Sequence, residues 1–199
     1  MGSNSSSMNN IPDAQQLMKD TGFSAAHIVR LYERFEFLDK DNTGHLRPED
    51  LETVPGLDMN PIGDKIIGAF FPPGKETLDF ASFVRILAHF RPADSNRTRD
   101  GAQQEPANST TSKLRFAFQL YDQDRDGKIS RDELLQVLRS MLGLQVTEEQ
   151  LQCIAERAIQ EADADKDDAI SFDEFRKTLS NKSLKIVEKN RKFSTVKTM

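Results

Sequence analysis

The residues best suited to chemistry are four carboxylates spaced regularly between Asp122 and Glu133. Asp122, Asp124 and Asp126 stand at positions 1, 3 and 5 of a twelve-residue segment that Glu133 closes. This is the D-x-D-x-[DN]-G-x₅-E pattern of an EF-hand loop, in which hard oxygen ligands surround Ca²⁺ and the final Glu binds it bidentately. We therefore predict a calcium site here, in preference to an acidic surface turn.

The remaining positions of this loop agree with that chemistry. Gly127 stands at position 6, where the chain turns sharply and needs a positive φ. Lys128 at position 7 offers its backbone carbonyl, and Ser130 at position 9 ligates directly or holds a water. Ile129, between them, is expected on a short strand that pairs with a neighbouring loop.

A second loop with the same chemistry runs from Asp163 to Glu174. Its predicted ligands are Asp163, Asp165, Asp167, Ala169 through its carbonyl, Ser171 and Glu174. It departs from the pattern at Asp168, where glycine is expected. Asp tolerates the left-handed conformation at a cost of about 1 kcal/mol, so we predict that this loop also binds calcium, which gives two sites in total.

Two further segments have the outline of such loops without the ligands. Residues 39–50 place Thr43 at position 5, Arg47 at position 9 and the shorter Asp50 at position 12. Residues 71–82 are poorer still, and their ligand positions hold Phe71, Pro73, Lys75 and Ser82. We expect both segments to be kept for packing. Weak Mg²⁺ or Ca²⁺ binding by residues 39–50 stays an open alternative.

The four loops form an internal repeat, marked by a hydrophobic residue at position 8 of each: Leu46, Leu78, Ile129 and Ile170. Because EF-hands pair, we predict an all-α fold of two lobes, with short β-bridges between paired loops and a hydrophobic groove for a partner. The predicted N-terminal lobe is 1–90 and the C-terminal lobe is 113–180. A flexible linker at 91–112 and a basic tail at 181–199 complete the chain.

Local signals place the helices between these loops. Ser24 and Ser112 are expected to cap the helices that follow them, and Thr147 and Gln150 form a capping box. In the helix after that box, Ile154 is expected to face the core. Cys153, the single cysteine of the chain, is also expected to be buried, and it allows no internal disulfide.

Charge divides the 199 residues in the same way. Residues 1–90 and 113–180 each carry a net charge of −5, residues 91–112 carry 0, and the tail 181–199 carries +5. Acidic lobes disfavour nucleic acid as a partner. The tail suits anionic lipid or an acidic protein, or it is a solvated end. No combination of His27, His45 and His89 with a nucleophile suggests catalysis, so an enzyme is not expected.

The chain begins with a pattern for lipid attachment. Gly2 with Ser6 matches the N-myristoylation motif, and one acyl chain gives marginal, reversible membrane affinity. We expect a cytoplasmic protein, peripheral at the plasma membrane, with endomembranes as a further site. A leucine spacing from Leu135 to Leu144 has the pattern of a nuclear export signal, but packing in a helix core is the favoured interpretation; nuclear shuttling stays open.

The chain as a whole resembles the calcineurin B homologous proteins, within the wider calcineurin B group. The resemblance covers about residues 1–180. Its carriers are TGFS at 21–24, NPIGD at 60–64, LAHFRP at 87–92, ISRDELLQVL at 129–138 and AISF at 169–172. In that family the first two loops are silent and the last two bind calcium. The basic tail departs from the family pattern.

The resemblance implies an N-myristoylated adaptor for plasma-membrane sodium/proton exchangers. It would bind their juxtamembrane cytoplasmic helix in the hydrophobic groove and support their activity and pH regulation. Three alternatives stay open: a regulatory subunit or inhibitor of a calcineurin-type phosphatase, an adaptor like the calcium- and integrin-binding group, and a calcium buffer without a target.

Overall fold

The computed structural model describes residue 8 and residues 10–72, 74–92 and 106–180. The chain divides into two compact units, Met1–Leu120 and Tyr121–Met199. Gly2, most of the predicted linker and the basic tail 181–199 lie outside the described residues.

Six helices and one short strand pair are described in the first unit. The helices are α1 (Ala14–Thr21), α2 (Ala25–Leu38), α3 (Pro48–Glu52), α4 (Gly63–Phe70), α5 (Phe80–Ala88) and α6 (Thr110–Gln119). Strands β1 (His45–Leu46) and β2 (Leu78–Asp79) pair antiparallel, with Leu46 opposite Leu78. The two segments predicted to be silent loops are therefore joined through their position-8 hydrophobic residues, as the repeat predicted.

Capping side chains set the helix ends in this unit. The Ser24 hydroxyl accepts the His27 amide at the start of α2, and the Asp79 carboxylate accepts the Ser82 amide at 2.7 Å at the start of α5. The predicted cap at Ser112 is wrong. Helix α6 begins three residues earlier, because the Ser109 hydroxyl accepts the Ser112 amide at 3.0 Å.

Aromatic residues fill the core of the first unit. Phe35 makes edge-to-face contacts with Phe80 and Phe83, at centroid distances of 5.5 and 5.7 Å. Phe116 of α6 contacts Phe70 and Phe90 in the same manner, at 5.9 and 4.9 Å. These contacts explain why α6 groups with the first unit in the structure. The predicted lobe boundaries at 90 and 113 stay a prediction.

The second unit carries the two acidic loops. Its elements are β3 (Lys128–Ser130), α7 (Arg131–Leu142), a 3₁₀ turn (Gly143–Gln145), α8 (Glu148–Ala162), β4 (Ala169–Ser171) and α9, the helical residues 172–180. Strands β3 and β4 pair antiparallel, with Ile129 opposite Ile170. The predicted all-α fold with paired EF-hands and short strand pairs is confirmed.

Helix α8 confirms one expectation and corrects two. The capping box of Thr147 and Gln150 is present. Ile154 is 41% exposed and Cys153 is also exposed, so the prediction that both are buried is wrong. The buried stripe of α8 follows a spacing of four residues through Leu151, Ala155 and Ile159, which leaves residues 153 and 154 off that stripe.

Among the described residues, no helix combines the length and apolar character that crossing a membrane requires.

The β3–β4 contact should dominate the stability of the second unit. Ile129 is 1% exposed, so Ile129→Ala should lower the free energy of unfolding by about 2–5 kcal/mol through lost burial and a cavity. Ile154→Ala removes the same atoms from an exposed site and should cost less than about 1 kcal/mol. Urea denaturation followed by circular dichroism, in chelator, measures both. Equal losses would show that the strand pair does not anchor this unit.

Candidate metal centre

Three carboxylates converge in the loop at 122–133. Oxygens of Asp122, Asp124 and Asp126 all lie within 4.8 Å of one another. Asp122 is 5% exposed, whereas Asp124 and Asp126 face solvent. Three negative charges this close repel one another unless a cation lies between them. The structure thus brings together the ligands predicted at positions 1, 3 and 5.

The buried carboxylate of Asp122 is the clearest indication of a cation site. Its Oδ2 accepts the Gly127 amide at 3.2 Å, but its buried Oδ1 has no hydrogen-bond partner among the described residues. Burial raises the pKa of Asp122 above its ordinary value, and the charges of Glu133, Asp126 and Asp124 raise it further. A buried carboxylate oxygen without a donor is costly, and a divalent cation would satisfy it. The site therefore fits Ca²⁺ on its own geometry.

Glu133 is not part of that carboxylate cluster, and both its oxygens accept hydrogen bonds from the loop. Oε1 accepts the amides of Gln123 and Asp124 at 2.8 and 3.3 Å. Oε2 accepts the Ser130 amide at 2.8 Å and the Ser130 hydroxyl at 2.7 Å. Burial raises the pKa of Glu133, but these hydrogen bonds outweigh it and the net pKa is lowered. Glu133 therefore stays ionised and ties the end of the loop to its beginning.

The loop at 163–174 repeats this closure. Glu174 Oε1 accepts the amides of Ala164 and Asp165 at 2.7 and 3.4 Å, and Oε2 accepts the Ser171 amide and hydroxyl at 2.8 and 2.7 Å. The Ser171 hydroxyl is the main cause that lowers the pKa of Glu174, to about 2. Here Glu174 itself lies in the cluster, within 4.8 Å of Asp163 and Asp165.

Asp167 is the predicted ligand that this cluster lacks. Its Oδ1 accepts the Ala169 amide at 3.1 Å, and its Oδ2 forms an ion pair with the ammonium of Lys128 in the neighbouring loop. The strand register places Lys128 opposite Ser171 and Ser130 opposite Ala169. Position 7 of each loop thus faces position 9 of the other. Sequence reasoning assigned Lys128 a backbone role alone and missed its side chain.

The turn residues behave as predicted. Gly127 has φ of 89° and Asp168 has φ of 64°, so Asp168 does adopt the left-handed conformation. Position 4 is also left-handed in three loops, with φ of 51° at Asn42, 62° at Arg125 and 61° at Lys166. Of these three only Asn42 carries a sequence signal for that conformation, so the shared turn was not predictable from residue types.

The loop at 39–50 satisfies its own first ligand. Asp39 is buried like Asp122, but its Oδ1 accepts the Thr43 amide at 2.9 Å and the Thr43 hydroxyl at 3.1 Å, and its Oδ2 accepts the Gly44 amide at 2.7 Å. Burial raises the pKa of Asp39, yet these bonds bring the net pKa below its ordinary value. Neither oxygen of Asp39 needs a metal ion.

The same loop also supplies its own cation. Arg47 Nη2 lies 2.5 Å from Asp41 Oδ2, and Arg47 Nε lies 3.8 Å from Asp50 Oδ2. Positions 3 and 12, which an ion would need, therefore share the positive charge of position 9. This gives a physical reason for the expectation that residues 39–50 are silent.

The loop at 71–82 acts through its hydrophobic residues. Phe71 and Leu78 are buried in the core of the first unit, and Asp79 caps α5. Of the ligand positions, Lys75 and Ser82 offer no carboxylate and Pro73 lies outside the described residues. Its described contacts are those of a packing partner for residues 39–50.

Asp168→Gly should leave the calcium affinity of its loop unchanged or raise it by up to about fivefold. Glycine removes a left-handed strain of about 1 kcal/mol while keeping the amide that donates to Asp163 Oδ2 at 2.9 Å. The matched control is Gly127→Ala in the other loop, where a Cβ meets open space and only φ opposes it, so that affinity should fall. Calorimetric titration measures both. A clear loss of affinity in Asp168→Gly would contradict this geometry.

The comparisons with known proteins support the interpretation of these loops as EF-hand loops. An EF-hand domain pair model matches residues 111–180, and a second model of the same description matches residues 74–140. The calcineurin B subunit of Naegleria gruberi is 38% identical over 184 residues, which cover 92% of this chain and 96% of that protein. The type 1 calcineurin B subunit of Dictyostelium discoideum is 36% identical over 89% of this chain and 91% of that protein.

The calcineurin B subunit of Kluyveromyces lactis is 40% identical over 81% of this chain and 84% of that protein. These similarities extend through both units and confirm the wider group that the sequence motifs indicated. The narrower resemblance to exchanger cofactors stays a prediction. The chain belongs to the calcineurin B-like family of EF-hand proteins.

Proposed function

We propose that this chain is a calcium-binding regulatory protein with two ion sites, in the loops at 122–133 and 163–174. The observation that carries the proposal is the buried Oδ1 of Asp122, which lacks a donor among the described residues and adjoins the carboxylates of Asp124 and Asp126. We propose no catalytic role, since ion binding and loop closure account for the carboxylates that cluster in the two loops.

Each ion would be held by the predicted ligands of its own loop. These are Asp122, Asp124, Asp126, Lys128, Ser130 and Glu133 in one loop, and Asp163, Asp165, Asp167, Ala169, Ser171 and Glu174 in the other. Ca²⁺ supplies the positive charge that permits these carboxylates to stay close together in a partly buried loop. The protein supplies the closed loop, through the hydrogen bonds of Glu133 and Glu174.

The regulated partner is the second part of the proposal. Relatives that cover most of this chain are named as calcineurin B subunits, so the catalytic chain of a calcineurin-type phosphatase is the first partner to test. A regulatory EF-hand protein holds its target as an amphipathic helix on an apolar surface. Each unit exposes large apolar side chains suited to such contact: Phe37, Met59 and Phe90 in the first unit, and Met141, Ile154 and Leu179 in the second.

A sodium/proton exchanger helix is the second candidate partner. The observation that favours it is that the first two loops lack a set of metal ligands. The guanidinium of Arg47 takes the place of a metal ion in the loop at 39–50, and residues 71–82 pack through Phe71 and Leu78. The family resemblance ties this pattern to exchanger adaptors. The proposed N-myristoyl group on Gly2, outside the described residues, would bring the protein to the cytoplasmic face of a membrane, where such a helix lies.

Calcium stoichiometry tests the two-site part of the proposal. Glu133→Ala should abolish binding by its loop, because the bidentate ligand and four loop-closing hydrogen bonds are lost together. Adding Glu174→Ala should remove all specific binding. Isothermal titration calorimetry counts the ions, and Asp50→Ala serves as a control that should change nothing. Stoichiometric calcium in the double variant would mean that residues 39–50 bind after all.

A comparison of how tightly two candidate helices bind tests the proposal about the partner. The calcium-loaded full chain is titrated with an amphipathic helical peptide from the catalytic chain of a calcineurin-type phosphatase and, separately, with the juxtamembrane helix of a sodium/proton exchanger. We expect the helix of the true partner to bind at least about tenfold more tightly than the other helix, a difference of about 1.4 kcal/mol in binding free energy. Because coupling between two binding sites is reciprocal, the same helix should raise the calcium affinity of the chain. If neither helix binds, the regulatory role is wrong and a calcium buffer fits better.

A further inference from the structure

One ion pair joins the two calcium loops of the second unit. The ammonium of Lys128, at position 7 of its loop, pairs with Oδ2 of Asp167, at position 5 of the other loop. The other oxygen of Asp167 accepts the Ala169 amide at 3.1 Å. Both oxygens of this predicted calcium ligand are therefore engaged within the protein.

The equivalent carboxylate of the first acidic loop is placed differently. Asp126 accepts the Lys128 amide at 2.8 Å through Oδ1, the counterpart of the Ala169 bond, but it lies in the carboxylate cluster with Asp122 and Asp124. In the loop at 163–174 the cluster is made by Asp163, Asp165 and Glu174, and Asp167 does not belong to it. At position 5 the two loops thus differ, because the Lys128 ammonium pairs with Asp167 whereas Asp126 lies in its carboxylate cluster.

The sequence explains why the contact runs in one direction. The strand register relates position 7 of each loop to position 9 of the other, with Lys128 opposite Ser171 and Ala169 opposite Ser130. A long cationic side chain stands at position 7 of one loop and a methyl group at position 7 of the other. Ala169 cannot reach Asp126 as Lys128 reaches Asp167.

We infer that Lys128 sets the calcium affinity of the loop at 163–174 by competing with the ion for Asp167, which makes this loop the second of the two to fill. An incoming Ca²⁺ either displaces the ammonium from Asp167 or keeps a positive charge beside it, and both are unfavourable. The Lys128 side chain is 48% exposed and the Asp167 side chain 31%, so solvent screens the effect and keeps it moderate.

The test is a set of three single variants of the full chain. Lys128→Gln removes the charge while keeping the backbone carbonyl that is the predicted ligand of its own loop. Lys128→Arg keeps the charge. Ala169→Lys places a cation at the mirror position, where it can reach Asp126. Calcium is titrated against a competing chelator, and the amide resonances of Gly127 and Asp168 report the occupancy of each loop separately.

Lys128→Gln should shift the Asp168 midpoint to about fivefold lower free calcium and move the Gly127 midpoint by less than about twofold, as expected for a screened ion pair. Lys128→Arg should leave the Asp168 midpoint within about twofold of the parent. Ala169→Lys should shift the Gly127 midpoint to several-fold higher calcium. An unchanged or raised Asp168 midpoint in Lys128→Gln would overturn the inference.

Lys128 can have this role only if the two proposed calcium sites exist, and the same titration separates the two claims. If neither amide responds to calcium in the parent chain, the two-site proposal is wrong and the role of Lys128 falls with it. If both respond and Lys128→Gln moves neither midpoint, the sites stand and only the role of Lys128 is wrong.

Discussion

The structure of the second unit depends on keeping carboxylates ionised inside two tight loops. The carboxylates of Glu133 and Glu174 each accept four hydrogen bonds from backbone amides and a serine hydroxyl. These bonds connect position 12 of each loop to positions 2, 3 and 9. Asp122 has no such donor for its Oδ1 among the residues that the structure describes. The hydrogen bonds that close the loop thus hold its carboxylates together, and a divalent cation would neutralise their charge.

In the first unit, the loop at 39–50 has the same backbone arrangement, but the protein itself satisfies its carboxylates. Asp39 occupies the place of Asp122 but is satisfied by Thr43 and Gly44, and Arg47 lies between Asp41 and Asp50. The strand pair is nevertheless present, because Leu46 lies opposite Leu78 as Ile129 lies opposite Ile170. Packing and the arrangement of carboxylates are therefore separable properties of one repeat, because the first unit keeps the strand pair although the protein itself satisfies Asp39.

Much of this organisation could be predicted from the sequence, because the EF-hand loop fixes residue types at nearly every position. The convergence of Asp122, Asp124 and Asp126, the left-handed Asp168 and the Ile129–Ile170 contact followed from spacing alone. The errors arose where two local signals competed, as with Ser109 and Ser112, or where helix phase decides burial, as with Ile154. The Lys128–Asp167 pair was missed because the loop pattern assigns only a backbone carbonyl to position 7 and says nothing of the side chain there.

A crystal structure of the full chain grown at saturating calcium tests the central claim most directly, through the anomalous scattering of the ions. We predict two ions, one bound by Asp122 Oδ1 and its loop and one in the loop at 163–174, with Arg47 still between Asp41 and Asp50. An ion in the loop at 39–50, or an Asp122 carboxylate without an ion beside it, would contradict the account.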